Sequence, residues 1–210
     1  MLFKEEHMRL TKSFLILFFL SLFVFSGNTR AGILIEPYLG FSFAGTGDTT
    51  IGTNKYDHSY SSPTIGGRLG YGMLGFMAGL DYSMQTFDLE SEIGSTTYKD
   101  GVKKNQLGIF VGYNLPILLR VWGTYYLSGN VDGDDPSASN TLLDSRYEFS
   151  DGGGFALGAG FTGLPFVSIN LEYRNLEYDK LEFNGATLGT YNEKLNLSEI
   201  LLSVSLPLDL

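Results

Sequence analysis

From Gly32 onward the chain alternates apolar residues with polar or small ones at a period of two. In Ile33-Leu-Ile-Glu-Pro-Tyr-Leu-Gly-Phe-Ser-Phe43 the odd positions read Ile33, Ile35, Pro37, Leu39, Phe41 and Phe43. The even positions are Leu34, Glu36, Tyr38, Gly40 and Ser42. Successive side chains on a strand point to opposite faces, so the segment predicts a strand with one greasy and one polar face. The pattern recurs seven more times, over Thr64–Met73, Phe76–Gln85, Gln106–Leu115, Leu119–Leu127, Gly154–Thr162, Val167–Arg174 and Ile200–Leu210.

The connections between these eight segments sort into two kinds. Short ones fall at Leu74-Gly75, around Pro116 and at Gly163-Leu164-Pro165. Long polar ones cover Ala44–Ser62, Asp88–Lys104, Ser128–Gly153 and Glu177–Asn196. The two kinds alternate strictly, which is the asymmetry of tight periplasmic turns and longer external loops. The expected fold is all-β, an eight-stranded antiparallel up-and-down transmembrane β-barrel over residues 32–210, with both ends on the short-turn side. Aromatics sit at the heights of two interfacial girdles: Tyr71, Phe76, Tyr113 and Phe161 near the turns, and Phe43, Phe87, Tyr125 and Tyr173 toward the loops.

The rival all-β reading is a soluble sandwich or lipocalin-like barrel, whose apolar face would point inward. Here the opposite face carries Glu36, Arg68, Asp81, Arg120, Glu172 and Arg174, three of each sign. Inside a narrow membrane barrel these six would pair with one another and fill the lumen, as a static plug or as a gate whose arginines exchange partners.

The N-terminal segment reads differently. Arg9 and Lys12 precede the apolar run Phe14–Phe25, and the small residues Thr29 and Ala31 follow it. Those are the parts of a secretory signal peptide, expected over residues 1–31 with cleavage before Gly32, and Met8 is an alternative start. A spanning helix would need about 20 apolar residues.

Composition narrows the function. The chain has no Cys and a net charge of −9, and loss of residues 1–31 would make that −11. No thiolate metal site is available, and nothing basic offers a face to nucleic acid. Gly70-Tyr-Gly-Met-Leu-Gly75 and Gly158-Ala-Gly-Phe-Thr-Gly163 match the spacing of a dinucleotide fingerprint, but a strand follows each where that motif needs a helix. Asp132-Gly-Asp-Asp135 lacks the closing Glu of a calcium loop and reads as a solvated acidic loop. His58 is the one histidine after the leader, flanked by Asp57 and Ser59. Adjacent side chains diverge on an extended chain, so no catalytic relay is recognisable, and neither cofactor nor metal is expected.

The repeated strand endings Leu107-Gly-Ile-Phe-Val-Gly-Tyr-Asn-Leu-Pro116 and Leu157-Gly-Ala-Gly-Phe-Thr-Gly-Leu-Pro165, with the alternating C-terminal strand, resemble the OmpA/OmpX-like family of small outer-membrane β-barrels. The resemblance covers Gly32–Leu210 and the barrel alone, so no peptidoglycan-binding role is carried over. It implies an outer-membrane protein with a structural or surface-interaction role and a charged lumen. It also implies contact with outer-membrane lipid and lipopolysaccharide, and recognition of the last strand by the barrel-assembly machinery. Leu210 departs from the family's usual terminal aromatic. A narrow pore and a lipid-modifying enzyme acting through His58 are the alternative functions. The external ligand is not legible, though Tyr56, Tyr60, Tyr98, Tyr147 and Phe183 in the loops offer a contact surface.

Overall fold

The computed structural model describes residues 31–51, 54–93, 96–133, 147–183, 186–187 and 194–210. The expected leader, Asp134 and Asp135 lie outside these residues, as do the side chains of Tyr56, Tyr98, Tyr147 and Phe183. Eight long strands form the wall: β1 (Gly32–Ile51), β2 (Asn54–Met73), β3 (Phe76–Ile93), β4 (Thr96–Leu115), β5 (Leu119–Gly133), β6 (Tyr147–Phe161), β7 (Ser168–Phe183) and β8 (Lys194–Ser205). Two-residue segments at Ala186–Thr187 and Leu208–Asp209 extend the edges of β7 and β1. Each strand pairs antiparallel with the next. β8 then pairs with β7 on one side and β1 on the other, with Ser205 opposite both Ser168 and Tyr38. The sheet therefore closes, and no backbone edge is left along the wall.

Alternation decides which way each side chain faces. Ile33, Ile35, Leu39, Phe41 and Phe43 are exposed on the outside of β1, whereas Leu34, Glu36, Tyr38 and Ser42 are buried inside. The same phase holds on every strand, with Leu69, Leu80, Ile109, Val121, Leu157, Leu171 and Leu202 outward. A soluble barrel would invert this pattern, because leaving so many large apolar side chains in water costs about 1.5–3 kcal/mol each. The wall is built to be covered by hydrocarbon.

Two expectations need correction. The long connections are not loops from end to end, since β1 to β4 continue well past the apolar band and pair there as hairpins, for example Asp48↔Asp57 and Glu90↔Lys99. The alternation persists in these extensions but was masked by their polar outer face. A bulge at Ala44, with φ of 52°, also shifts the phase of β1 by one residue, so Gly45 and Thr49 turn inward. The second correction concerns Phe87 and Tyr60, expected in the outer girdle and on the contact surface. Both are buried and stack on each other inside the barrel, ring centroids 4.4 Å apart.

Lumen-facing glycines make room for large side chains. A Cβ on Gly158 would lie 2.2 Å from the Trp122 ring, and one on Gly66 would lie 2.3 Å from the Tyr38 ring. In so narrow a barrel, rings on one strand are accommodated by the absence of side chains on its neighbour.

Candidate functional site

The lumen is layered. Toward the short turns lies an apolar cluster of Leu34, Met77, Phe110 and Trp122. Toward the long connections lies a larger one that includes Tyr60, Phe87, Val102, Tyr126, Phe149 and Leu197. A charged network threads through both clusters, from Arg120 beside the short turns to Lys104 against the Tyr60 and Phe87 rings, and all six residues expected to face the lumen belong to it.

Glu36, Arg68 and Asp81 stand in one row, because β1 pairs Glu36 with Arg68 and β3 pairs Asp81 with Arg68. Arg68 Nε donates to Asp81 Oδ2 at 2.8 Å, and its Nη2 crosses the lumen to Glu172 Oε2 at 2.8 Å. Its Nη1 is 3.8 Å from Glu36. Glu36 is held more closely by Arg120, whose Nη1 donates to Oε2 at 2.8 Å and whose Nη2 donates to Oε1. That Nη2 also reaches Asn170 at 2.9 Å and Ser205 at 3.0 Å. Arg174 Nε donates to Glu172 Oε1 at 2.5 Å, and Trp122 Nε1 donates to Glu172 Oε2 at 2.6 Å. Glu172 thus accepts from two guanidinium groups and an indole.

The network extends further than the sequence reading placed it. Arg174 Nη1 is 3.6 Å from Glu199, and Lys104 Nζ donates to Glu199 Oε2 at 2.9 Å. Tyr60 Oη and Gln85 Nε2 donate to Glu199 as well. Lys104 was expected in a loop, and Glu199 fell just before the last expected strand. Parity alone would have found both. Lys104 continues the inward series Gln106, Gly108, Phe110, and Glu199 precedes Leu201, Ser203, Ser205 in the same phase.

Signs alternate along the path Arg120, Glu36, Arg68, Glu172, Arg174, Glu199, Lys104, with Asp81 as a branch on Arg68. Among the described residues the buried set holds four cations and four anions. Neutrality matters here, because a buried unpaired charge costs several kcal/mol. Ring faces add to the support. Arg68 lies 4.4 Å from the Trp122 ring centroid and 5.1 Å from that of Tyr38, and Lys104 lies 5.4 Å from Tyr60. Tyr38 Oη donates to Asp81 at 2.9 Å and accepts from Arg174 at 3.2 Å, which ties the branch to the main path.

His58 lies in the β2 extension above the apolar band. Its Nε2 is 2.7 Å from Thr49 Oγ1, across the β1–β2 hairpin. Burial pushes its pKa below the usual histidine range, against the opposing fields of Asp57 and Asp48. Asp57 and Ser59 are exposed on the opposite face of the strand, so the sequence-adjacent trio forms no relay.

No family model matches the chain, and no curated protein matches it. Solved structures do. The outer membrane protein OprG from Pseudomonas aeruginosa is similar with a TM-score of 0.50 at 11% identity, over 88% of this chain and 99% of that one. Neisserial surface protein A (NspA) is similar over 87% of this chain and 100% of its own, with a TM-score of 0.49 and 14% identity. Ail of Yersinia pestis, solved with the heparin analogue sucrose octasulfate, covers 83% of this chain and 99% of its own, with a TM-score of 0.49 and 11% identity. What this chain shares with OprG is the fold of a small outer-membrane β-barrel.

Proposed function

We propose that the protein is a plugged outer-membrane barrel with a structural and surface-interaction role, built in the manner of the OmpA/OmpX-like barrels. The observation that carries this reading is the lumen. A neutral chain of ion pairs interleaves with two apolar clusters, so that the lumen is filled by protein side chains. The strand extensions above the apolar band then form a rigid platform, because their inward residues build the larger cluster. In this reading residues 1–31 direct export, lipid covers the wall, and lipopolysaccharide surrounds the outer end. The last strand serves as the assembly signal.

A narrow pore is the second reading. It is favoured by Arg120 Nε, Thr124 Oγ1, Tyr126 Oη and Ser168 Oγ, buried atoms with no hydrogen-bond partner among the described residues. Polar atoms of this kind are where water would enter a lumen. A lipid-modifying activity has only His58 to stand on, and its neighbours do not converge with it.

Planar-bilayer recording on the refolded barrel separates the first two. The plugged reading expects no resolved single-channel steps from the wild type, with a heat-dependent gel shift proving that the barrel is folded. Steady, salt-proportional conductance from the folded wild type would overturn it in favour of the pore.

A further inference from the structure

The short-turn end of the barrel has an unusual surface. At the opposite end the apolar wall stops at outward polar residues such as Thr46, Ser61, Thr86, Asn105 and Ser198. At the lower end the described outward residues run apolar into three turns that carry no charge, with the C-terminal segment Leu208–Asp209 the charged element beside them. On β3 the outward apolar series from Phe76 to Met84 covers nine residues. At about 3.3 Å per residue and about 40° of tilt, that is about 23 Å of height, close to the roughly 25 Å apolar band of such barrels. The turns therefore lie where the opposite headgroups begin.

Those turns present bulky apolar side chains outward. Leu74 is 61% exposed, Leu118 57% and Phe166 85%. All three hold a left-handed backbone, with φ of 53°, 59° and 64°. Glycine or asparagine takes that conformation more readily than a leucine or phenylalanine does. Neighbouring strands fix the geometry: Asn114 N donates to Gly75 O and Thr162 N to Leu118 O, each at 2.8 Å. The backbone is thus set by the turns, and the side chains, which bury little against the protein, suit what lies outside.

The geometry points to the turn residues Leu74, Ile117, Leu118, Leu164 and Phe166 as a lipid-docking rim sunk into the inner leaflet of the membrane. The rim is continuous with the lipid-facing wall through Met73, Phe76, Leu119 and Ile169, so the occupant is the same lipid, reached at its glycerol and upper acyl region. Residues without charge need no anionic headgroup, and a neutral phospholipid suffices. This rests on the membrane-spanning reading above.

The chain has no Cys, which allows clean single-site labelling. Leu74→Cys, Leu118→Cys and Phe166→Cys variants, each nitroxide-labelled and refolded into phosphatidylcholine vesicles, are compared with Leu80→Cys on the mid-wall and Asp88→Cys above the band. Access to oxygen and to a nickel chelate is read by power saturation. The turn labels are expected to favour oxygen over the polar chelate by about tenfold relative to Asp88→Cys, since hydrocarbon excludes the chelate. Turn labels that match Asp88→Cys, with Leu80→Cys still protected, would overturn the rim alone. Loss of protection at Leu80→Cys as well would overturn the membrane reading. A combined Leu74→Asn, Leu118→Asn and Phe166→Asn variant suits the turn backbone better yet removes the rim. A label on Ile117→Cys in that background is expected to gain chelate access severalfold, and unchanged access would mean that the three side chains only shape turns.

Discussion

Glu172 joins two arginines and the tryptophan of the plug, and Glu172→Gln tests it with almost no change in shape. The carboxylate accepts from Arg68 at 2.8 Å, from Arg174 at 2.5 Å and from Trp122 at 2.6 Å. An amide keeps one acceptor, turns its NH2 toward an arginine, and leaves the lumen with one uncompensated positive charge. Arg68 retains Asp81, and Arg174 retains as its one remaining carboxylate the longer 3.6 Å approach to Glu199, beside neutral contacts to Tyr38 and Ser83. Breaking a buried ion pair from one side costs about 3–5 kcal/mol, against about 0–1 kcal/mol for a solvated pair. With an m-value of about 2 kcal/mol/M, the urea midpoint should fall by about 2 M. Trp122 is the single tryptophan and donates to Glu172 itself, so its fluorescence in vesicles follows unfolding and reports the local change. An Arg68→Met, Glu172→Gln double-mutant cycle should give a coupling of about 1.5 kcal/mol or more. A single-variant loss under about 1 kcal/mol would refute the argument, because it would mean that the pair is already hydrated and the lumen wet.

Three further outcomes follow from the same geometry. Arg120→Ala leaves Glu36 with only the 3.8 Å contact to Arg68, so small conductance steps should appear in planar bilayers where the wild type is silent; silence in the folded variant would count against Arg120 as part of the plug. Gly158→Val places a side chain against the Trp122 ring and should cost about 1–3 kcal/mol, read as a lower temperature for the gel shift, with an unchanged temperature refuting the fit. Because the folded pKa of His58 is depressed, its contribution to the β1–β2 hairpin is complete above the unfolded value of 6.5 and is lost as pH falls through the folded value. Amide protection factors at Thr49 and His58, corrected for the intrinsic pH dependence of exchange, should therefore fall on acidification from pH 7.5 toward pH 5, and equal protection across that range would contradict the assignment.

Within the apolar band the sequence by itself determined which residues face outward and which face the lumen. Strand alternation is local, so parity alone placed Glu36, Arg68, Asp81, Arg120, Glu172 and Arg174 inside. The structure adds that the register set by the Leu74-Gly75 turn puts Arg68 opposite Asp81, a pairing not drawn from parity. What parity could not supply was reach across the barrel. Arg68 meets Glu172 and Arg120 meets Glu36 only because closure of β8 on β1 brings far walls within side-chain length. Lys104, Glu199, Tyr60 and Phe87 were hidden for a different reason. Their strands continue above the membrane, where the outer face turns polar and the sequence reads as loop, although the inward face stays apolar or pairs its charges. The bulge at Ala44 adds a phase shift that no strict alternation anticipates. Side-chain direction is a property of neighbouring residues, whereas which partner waits across the lumen is a property of the closed sheet.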